Sequence, residues 1–328
     1  MNSLTHIEVK NLLSFVIPCY RSENTIRKVY EEIIETVSQR PEYDYEIIAV
    51  NDCSPDNVLT VLKDLAAEDS KFKVVDFAKN FGKHSAVMAG LACVHGELVV
   101  SLDDDYQCPV YELWKLVDAI EKEGYDCATA VYPKKKEVFW KRLGSKVNRR
   151  LVRILIEPPE GIEDLENFFA VRRYVCDEML NYKNPYPYIS GLLLKATHRI
   201  KTIQMEERER ADANSSGFTL KKSLRLFTNG LTAFSVKPLR VATIIGFILA
   251  IIGFCIGIYY IIKKISDPGV PLGYTSMISV QLFSTGMIML MLGIIGEYLG
   301  RIYISINNSP QYVIRDTINI SDQEHSKS

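Results

Sequence analysis

Between Val241 and Ile262 the chain runs VATIIGFILAIIGFCIGIYYII without one charged residue. Such a stretch is out of place on a water-facing surface, and its length suits a helix that crosses the hydrocarbon core of a bilayer. A second apolar stretch extends from about Ser276 to Leu299, interrupted only by Glu297 near its end. The sequence KKISDPGVPLGYT between them reads as a short polar turn. The chain is therefore expected to divide into a soluble domain at 1–236, a membrane hairpin at 237–303 with spans at about 241–262 and 276–299, and a tail at 304–328. Lys237, Arg240 and Arg301 flank one end of the hairpin, with Lys221, Lys222 and Arg225 just upstream, against Lys263 and Lys264 on the turn. This asymmetry predicts both termini in the cytoplasm.

The soluble part shows no global bias in charge. Lys and Arg number 39 and Asp and Glu 40, so the net charge of −1 gives no electrostatic case for a nucleic-acid partner. The seven cysteines are scattered, odd in number and form no C-x-x-C pair. They argue against a disulfide framework or a zinc site and for a reducing compartment. Met1 to Asn11 is polar and lacks the apolar core of a signal peptide.

Strand and helix patterns alternate through the first 132 residues. Leu12–Pro18 is expected to be a strand ended by its proline, followed by a helix capped by Ser22 with Ile26, Val29, Ile33 and Val37 on one face. Tyr45–Val50 is a second buried strand, and it leaves Asp52 at its tip. The following helix is expected to take Ser54 as cap, with Pro55 and Asp56 in its first turn. Lys73–Phe77 is a third strand, after which Gly82 permits a turn into a helix whose N-terminus suits phosphate oxygens. Leu98–Leu102 forms a fourth strand, then a helix covers about Val110 to Lys122, and a strand Asp126 to Tyr132. This alternation implies an α/β domain with a mainly parallel sheet covered by helices. Neither a G-x-G-x-x-G nor a P-loop pattern is present.

The fourth strand ends on three adjacent carboxylates, Asp103, Asp104 and Asp105. Ligands bind at the carboxyl edge of such sheets. Three neighbouring acids there call for a positive partner, and carboxylate oxygens suit Mg²⁺ or Mn²⁺ shared with substrate phosphates. Farther on, residues 134–153 carry nine basic residues against Glu137, interleaved with Phe139, Trp140, Leu143, Val147 and Leu151. That pattern predicts an amphipathic helix at about 140–156 on an anionic membrane surface, and a second such helix is expected at 219–235.

IPCYRSENTI, EIIAVNDCSPDN, NFGKHSAVMAGL and LDDDYQCP, in this order and spacing, resemble family 2 inverting glycosyltransferases with the GT-A fold, a Rossmann-like architecture. The tail SGFTLKKSLRLFTNGLTAFSVKPLR, with two spans ending GEYLGRIY, is similar to the polyprenyl-phosphate branch of that family, which includes bactoprenol glucosyltransferases and aminoarabinose transferases. The resemblance covers about residues 12–315. It implies a nucleotide-sugar donor, expected to be UDP-linked, and a polyprenyl (undecaprenyl) phosphate acceptor. It also implies a multi-pass protein of the inner membrane that contacts membrane lipids, and leaves room for a homo-oligomer. Asp52 would contact base or ribose, Pro18 and Tyr20 would border the base, and Asp103 and Asp105 would form the catalytic, metal-holding D-x-D pair, Asp103 toward the ribose and Asp105 toward the metal on the diphosphate. Glu23, Lys83, Asp104, Arg208 and Arg210 complete the implied substrate-binding set, the arginines as a clamp on phosphates. Arg21 stands where the family usually has Asn, Asp104 where it has a small residue, and Cys108 where Asp is common. Asn167 occupies the position of an acid that many relatives carry, and Phe169 that of an Arg. Glu166 and Asp164 lie nearby, so Glu166 and Asn167 join the catalytic candidates.

A sugar hydroxyl acceptor requires a general base, whereas a phosphate monoester, with its second pKa at roughly 6, is already a nucleophile at neutral pH. Asn167 is therefore tolerable for a phosphate acceptor and awkward for a hydroxyl acceptor. A processive polysaccharide synthase would carry a Q-x-x-R-W motif and more spans, yet neither Trp114 nor Trp140 follows an arginine. An inactive membrane scaffold would be expected to lose Asp52, Asp103 and Asp105, and all three are present.

Overall fold

The computed structural model describes residues 11–132, 165–206, 208, 273–306 and 310–320, with single helical positions between 244 and 266. It divides into two compact units, one built from residues 1–153, 157–217 and 308–328, the other from 154–156 and 218–307. The expected interface helices at 140–156 and 219–235, Arg210, Asp164 and most of the first apolar run lie outside the described residues.

The first unit is a sheet flanked by helices. In chain order its elements are β1 (Asn11–Cys19), α1 (Ile26–Ser38), β2 (Tyr43–Asn51), α2 (Val58–Glu68), β3 (Phe72–Phe77), α3 (Lys83–Ala92) and β4 (Leu98–Ser101). A 3₁₀ turn at Val110–Glu112 leads into α4 (Leu113–Glu121), then β5 (Cys127–Val131), β6 (Phe169–Arg172), α5 (Arg173–Leu180), α6 (Ile189–Ala196), β7 (Ile200–Gln204) and, after the second unit, β8 (Ile314–Ile318). The strand order is β7-β5-β6-β4-β1-β2-β3-β8. The central strands β4, β1, β2 and β3 are parallel, as expected. The flanks make the sheet mixed: β6 runs antiparallel between β4 and β5, and β8 antiparallel to β3.

The central strands are mostly apolar because both faces are covered. Leu13, Phe15, Val16 and Ile17 of β1 and Ile47, Ile48, Ala49 and Val50 of β2 are all fully buried. On α1 the predicted stripe of Ile26, Val29, Ile33 and Val37 is buried. Helix α3 lies tight on β1 because residue 90 is glycine: a Cβ there would come within 2.4 Å of Val16 Cγ1.

Several boundaries differ from expectation. β1 continues through Pro18 to Cys19, tolerated because β4 stops opposite Val16 and the proline lies beyond it. α1 begins at Ile26 with Thr25 at the cap, because Ser22 instead closes a preceding turn through its carbonyl, which accepts the Thr25 and Ile26 amides. α2 begins at Val58 with Asn57 at the cap. The Ser54 hydroxyl is occupied elsewhere, accepting from the Arg21 amide at 2.8 Å and donating to Asp56 at 2.5 Å.

In the second unit, α7 (Tyr274–Ile306) exceeds the expected second span at both ends. Its Met277, Val280, Phe283, Ile288, Met289, Leu292, Ile295 and Leu299 are exposed, an apolar surface that suits contact with lipid. It is the one helix among the described residues long and apolar enough to cross a membrane. In the first apolar run, the described positions are helical, and Ile244, Phe247, Ile248, Ile251, Ile258 and Ile262 are exposed. A Cβ at Gly246 would meet Met291 Cε at 2.8 Å, so the two runs lie side by side at that point.

Candidate active site

Four loops leave the carboxyl edge of β1 to β4, and each contains a residue in the left-handed region: Arg21 (φ 60°), Cys53 (φ 49°), Gly82 (φ 92°) and Tyr106 (φ 61°). Three of these are not glycine, and such strain gathers where a site dictates backbone shape. Asn adopts this conformation more readily than Arg, which accounts for the family preference at position 21.

The loops are tied to one another. The Tyr20 amide donates to Asp104 Oδ2 at 2.8 Å, and Thr25 Oγ1 donates to the Asp104 carbonyl at 2.5 Å. The Glu23 amide donates to Asp56 Oδ2 at 3.1 Å, and Glu23 Oε2 accepts from the Asn57 amide at 2.9 Å. Asp52 is buried, and its carboxylate accepts the amides of Phe81 (2.7 Å) and Gly82 (2.9 Å). Burial pushes the Asp52 carboxyl above its ordinary value, against those two amides.

Each of the three acids faces a different partner. Asp103 Oδ1 is sealed from solvent, with the Lys83 ammonium as its ionic partner, while Oδ2 accepts from Asn167 Nδ2 at 3.3 Å. Asp104 turns inward to the β1–α1 loop, and burial, with Asp103 and Asp105 adding to it, pushes its carboxyl up to about 6 against the Ser22 hydroxyl and Tyr20 amide. Asp105 Oδ1 accepts from the Gln107 amide at 3.1 Å. Among the described residues no three His, Cys, Asp or Glu side chains form a complete metal site. Asp103 and Asp105 nevertheless fit a hard divalent cation. They offer carboxylate oxygens at a strand end, and one of them already draws in a cationic side chain, leaving the rest of the shell to water and phosphate.

The structure brings Asn167, Asp103 and Lys83 together, and it sets Pro18 (buried) and Tyr20 (43% exposed) at the end of β1. Glu166 is half-buried and adds to the upward push on the Tyr132 hydroxyl, which is due first to burial and then to Cys108. Among the described residues the ionic partner of Arg208 lies far along the chain rather than at neighbouring Glu206. The arginine forms a two-pronged ion pair with Glu32 of α1, both contacts at 2.6 Å, and its guanidinium lies 4.4 Å from the Tyr106 ring centre and 5.0 Å from that of Tyr111. Its backbone is tied to Gln107 in both directions, at 3.2 and 3.3 Å. Glu32 and Gln107 were not among the residues singled out from the sequence; nothing in a helical glutamate marks a partner so distant along the chain. His84, beside Lys83, is depressed to about 4, chiefly by burial, and its ring meets Tyr188 edge-on at 5.6 Å.

Comparisons with known proteins agree with this architecture. The profile described as Glycosyl transferase family 2 fits residues 14–180, and that described as GtrB C-terminal hairpin fits residues 237–302. The SfII prophage-derived bactoprenol glucosyl transferase of Shigella flexneri is 30% identical over 311 residues, covering 92% of this chain and 97% of its own. The undecaprenyl-phosphate 4-deoxy-4-formamido-L-arabinose transferase of Proteus mirabilis is 29% identical over 327 residues, covering 97% of each chain. Among solved structures, glucosyl-3-phosphoglycerate synthase from Mycobacterium tuberculosis, in complex with Mn²⁺ and UDP-glucose, superposes with a TM-score of 0.50. It is 19% identical and covers 68% of this chain and 77% of its own, a likeness of fold.

Proposed function

The chain belongs to glycosyl transferase family 2, and from that premise we propose that it transfers one sugar, with inversion, from a nucleotide-sugar to polyprenyl phosphate at the cytoplasmic face of the membrane. The observation that carries this reading is the GtrB-type hairpin joined to the family 2 domain, an arrangement shared along nearly the whole chain with relatives named for bactoprenol and undecaprenyl phosphate. Which sugar is carried differs between those two relatives, so the donor is assigned here only as a nucleoside-diphosphate sugar, with UDP the first choice.

In this reading the loop-bound Asp52 meets the base or ribose, bordered by Pro18 and Tyr20. Asp103 and Asp105 would hold Mg²⁺ or Mn²⁺, which supplies Lewis-acid neutralisation of the charge developing on the diphosphate. Lys83 adds a second positive group at the start of α3, where the helix N-terminus also favours phosphate. Asp104 and Glu23 act by holding the loops that carry these groups. Arg208 has to leave Glu32 before it can reach a phosphate, so its clamp role requires that ion pair to open. The remaining assignments of the acceptor side rest on Asn167. An amide donor against Asp103 costs nothing when the acceptor is an anionic phosphate, and supplies no base for a hydroxyl.

The pairing of β8 with β3 supports two crossings. Residues on both sides of the hairpin share one sheet, so any crossings of a membrane by the chain between them must be even in number. The whole proposal is tested with the purified full-length chain, a panel of nucleotide-sugars and radiolabelled polyprenyl phosphate. Metal-dependent formation of a lipid-linked sugar is expected. Transfer only to a hydroxyl acceptor, or none with any donor, would overturn it.

A further inference from the structure

The segment that follows the membrane helix returns to the sheet, and it meets the loop that holds Asp52. β8 pairs with β3 along Val74–Phe77 and covers what is otherwise an open edge. At its start the contacts concentrate on one point, Ala78, the root of the 78–82 loop. The Ala78 amide donates to the Val313 carbonyl at 2.9 Å, and Arg315 Nη2 donates to the Ala78 carbonyl at 3.1 Å. Tyr312 stacks on Phe77, with ring centres 5.5 Å apart and planes 7° from parallel, and Phe77 in turn meets Phe81 edge-on at 5.7 Å. Phe81 and Gly82 are the residues whose amides hold the Asp52 carboxylate, and Lys83, next in the chain, pairs with Asp103. On its other side, Gln311 Nε2 donates to the carbonyls of Tyr182 (3.2 Å) and Asn184 (2.9 Å), in the loop that leads to α6.

Magnitudes separate the contacts that matter. The Arg315–Asp76 ion pair is long, at 3.7 Å, and the arginine side chain is 57% exposed, so it adds little. The hydrogen bond to Ala78 and the Tyr312 stack act directly on the loop root. Asn319, by contrast, anchors the far end of β8 to the carbonyls of Ala66 (2.8 Å) and Phe72 (2.9 Å), away from that loop.

We propose that residues 311–315 are a positioning element of the donor site, with Tyr312 and Arg315 fixing the 78–82 loop that orients Asp52 and Lys83. The proposal rests on the donor-site reading above. Its consequence is that the chain beyond the hairpin sets nucleotide affinity, although it contributes no group to the nucleotide.

The test uses the full-length chain in detergent micelles, with UDP and Mn²⁺ as the probe and calorimetric titration as the readout. Tyr312→Ala and Arg315→Ala should each weaken UDP binding by about fivefold, the scale of one hydrogen bond or ring contact. Tyr312→Phe, which keeps the ring, should restore the wild-type constant. Asn319→Ala should lower the thermal midpoint without moving the UDP constant. Unchanged UDP binding in both alanine variants, a loss in Tyr312→Phe equal to that in Tyr312→Ala, or equal weakening by Asn319→Ala would overturn the inference. A wild-type chain that binds no nucleoside diphosphate would overturn the function proposed above and this inference with it.

Discussion

At the amino end of the central strands, Glu46 is buried among donors: Ser14 Oγ at 2.5 Å, the His95 amide at 2.5 Å and Lys73 Nζ at 2.9 Å. At the carboxyl end of the same strands, Asp52, Asp103 and Asp104 are buried or half-buried, and among the described residues Lys83, on Asp103, is the lysine that pairs with them. Burial alone would raise Glu46, yet Ser14, Lys73 and the His95 amide outweigh it and hold the carboxyl below its ordinary value. Burial wins at the other end, where Asp52 is raised and Asp104 is pushed up to about 6. One edge satisfies its acid internally and gains stability. At the other, among the described residues, burial outweighs the partners of Asp52 and Asp104, an arrangement that would suit a cation and a diphosphate.

The largest expected effect that would break this contrast is on activity. Asp105→Asn should lower transfer by about 100- to 1,000-fold while the protein stays folded in the membrane, because an amide is a poor ligand for a hard cation. Activity near wild type would remove Asp105 from the metal site. Asn167→Asp should reduce kcat/KM by about tenfold, since a further carboxylate beside Asp103 opposes an anionic acceptor. A gain in turnover would instead show that a base had been missing and that the acceptor is a hydroxyl.

Glu46→Gln belongs to the other edge. It should destabilise the fold by about 2 kcal/mol at pH 7, leaving Lys73 and His95 without their carboxylate, and leave the donor KM alone. The sign of the pH effect follows from the lowered folded pKa. The unfolded chain binds the proton more readily, so the contribution is complete above about pH 5 and drains away as pH falls below it. Denaturant titrations at pH 7 and pH 4 check this: the wild type should lose stability between them, and the variant should lose less. The smallest effect is expected from Asp104→Asn. The neutral amide can still accept from the Tyr20 amide and avoids the cost of a buried charge, so the metal-free protein should gain about 1 kcal/mol at pH 7. A loss of stability there would mean that the acidic edge is already compensated.

The same contrast explains what was legible in the sequence. β1 to β4 are buried on both faces, so LLSFVIP, YEIIAV and ELVVSL stand out as apolar runs that end in turn residues. β7 (IKTIQ) and β8 (IRDTI) are edge strands with alternating polar residues, and their pairing is decided by tertiary contact. The helix starts at Ser22 and Ser54 were misplaced because both serines serve the loops of the site. The acidic triplet was visible as such, but its division of labour was not. That depends on Tyr20, Thr25 and Lys83 meeting it from other loops. The pairing of Arg208 with Glu32 joins residues 176 positions apart, beyond any local pattern.

The most direct test of the carboxyl edge as a cation-dependent donor site is a titration of UDP into the full-length chain, before and after removal of divalent metal by a chelator. With Mn²⁺ restored, affinity should rise by at least about tenfold in the wild type and stay at the metal-free level in Asp103→Asn and Asp105→Asn. UDP binding equally tight with and without metal, or equally metal-dependent in both variants, would contradict it.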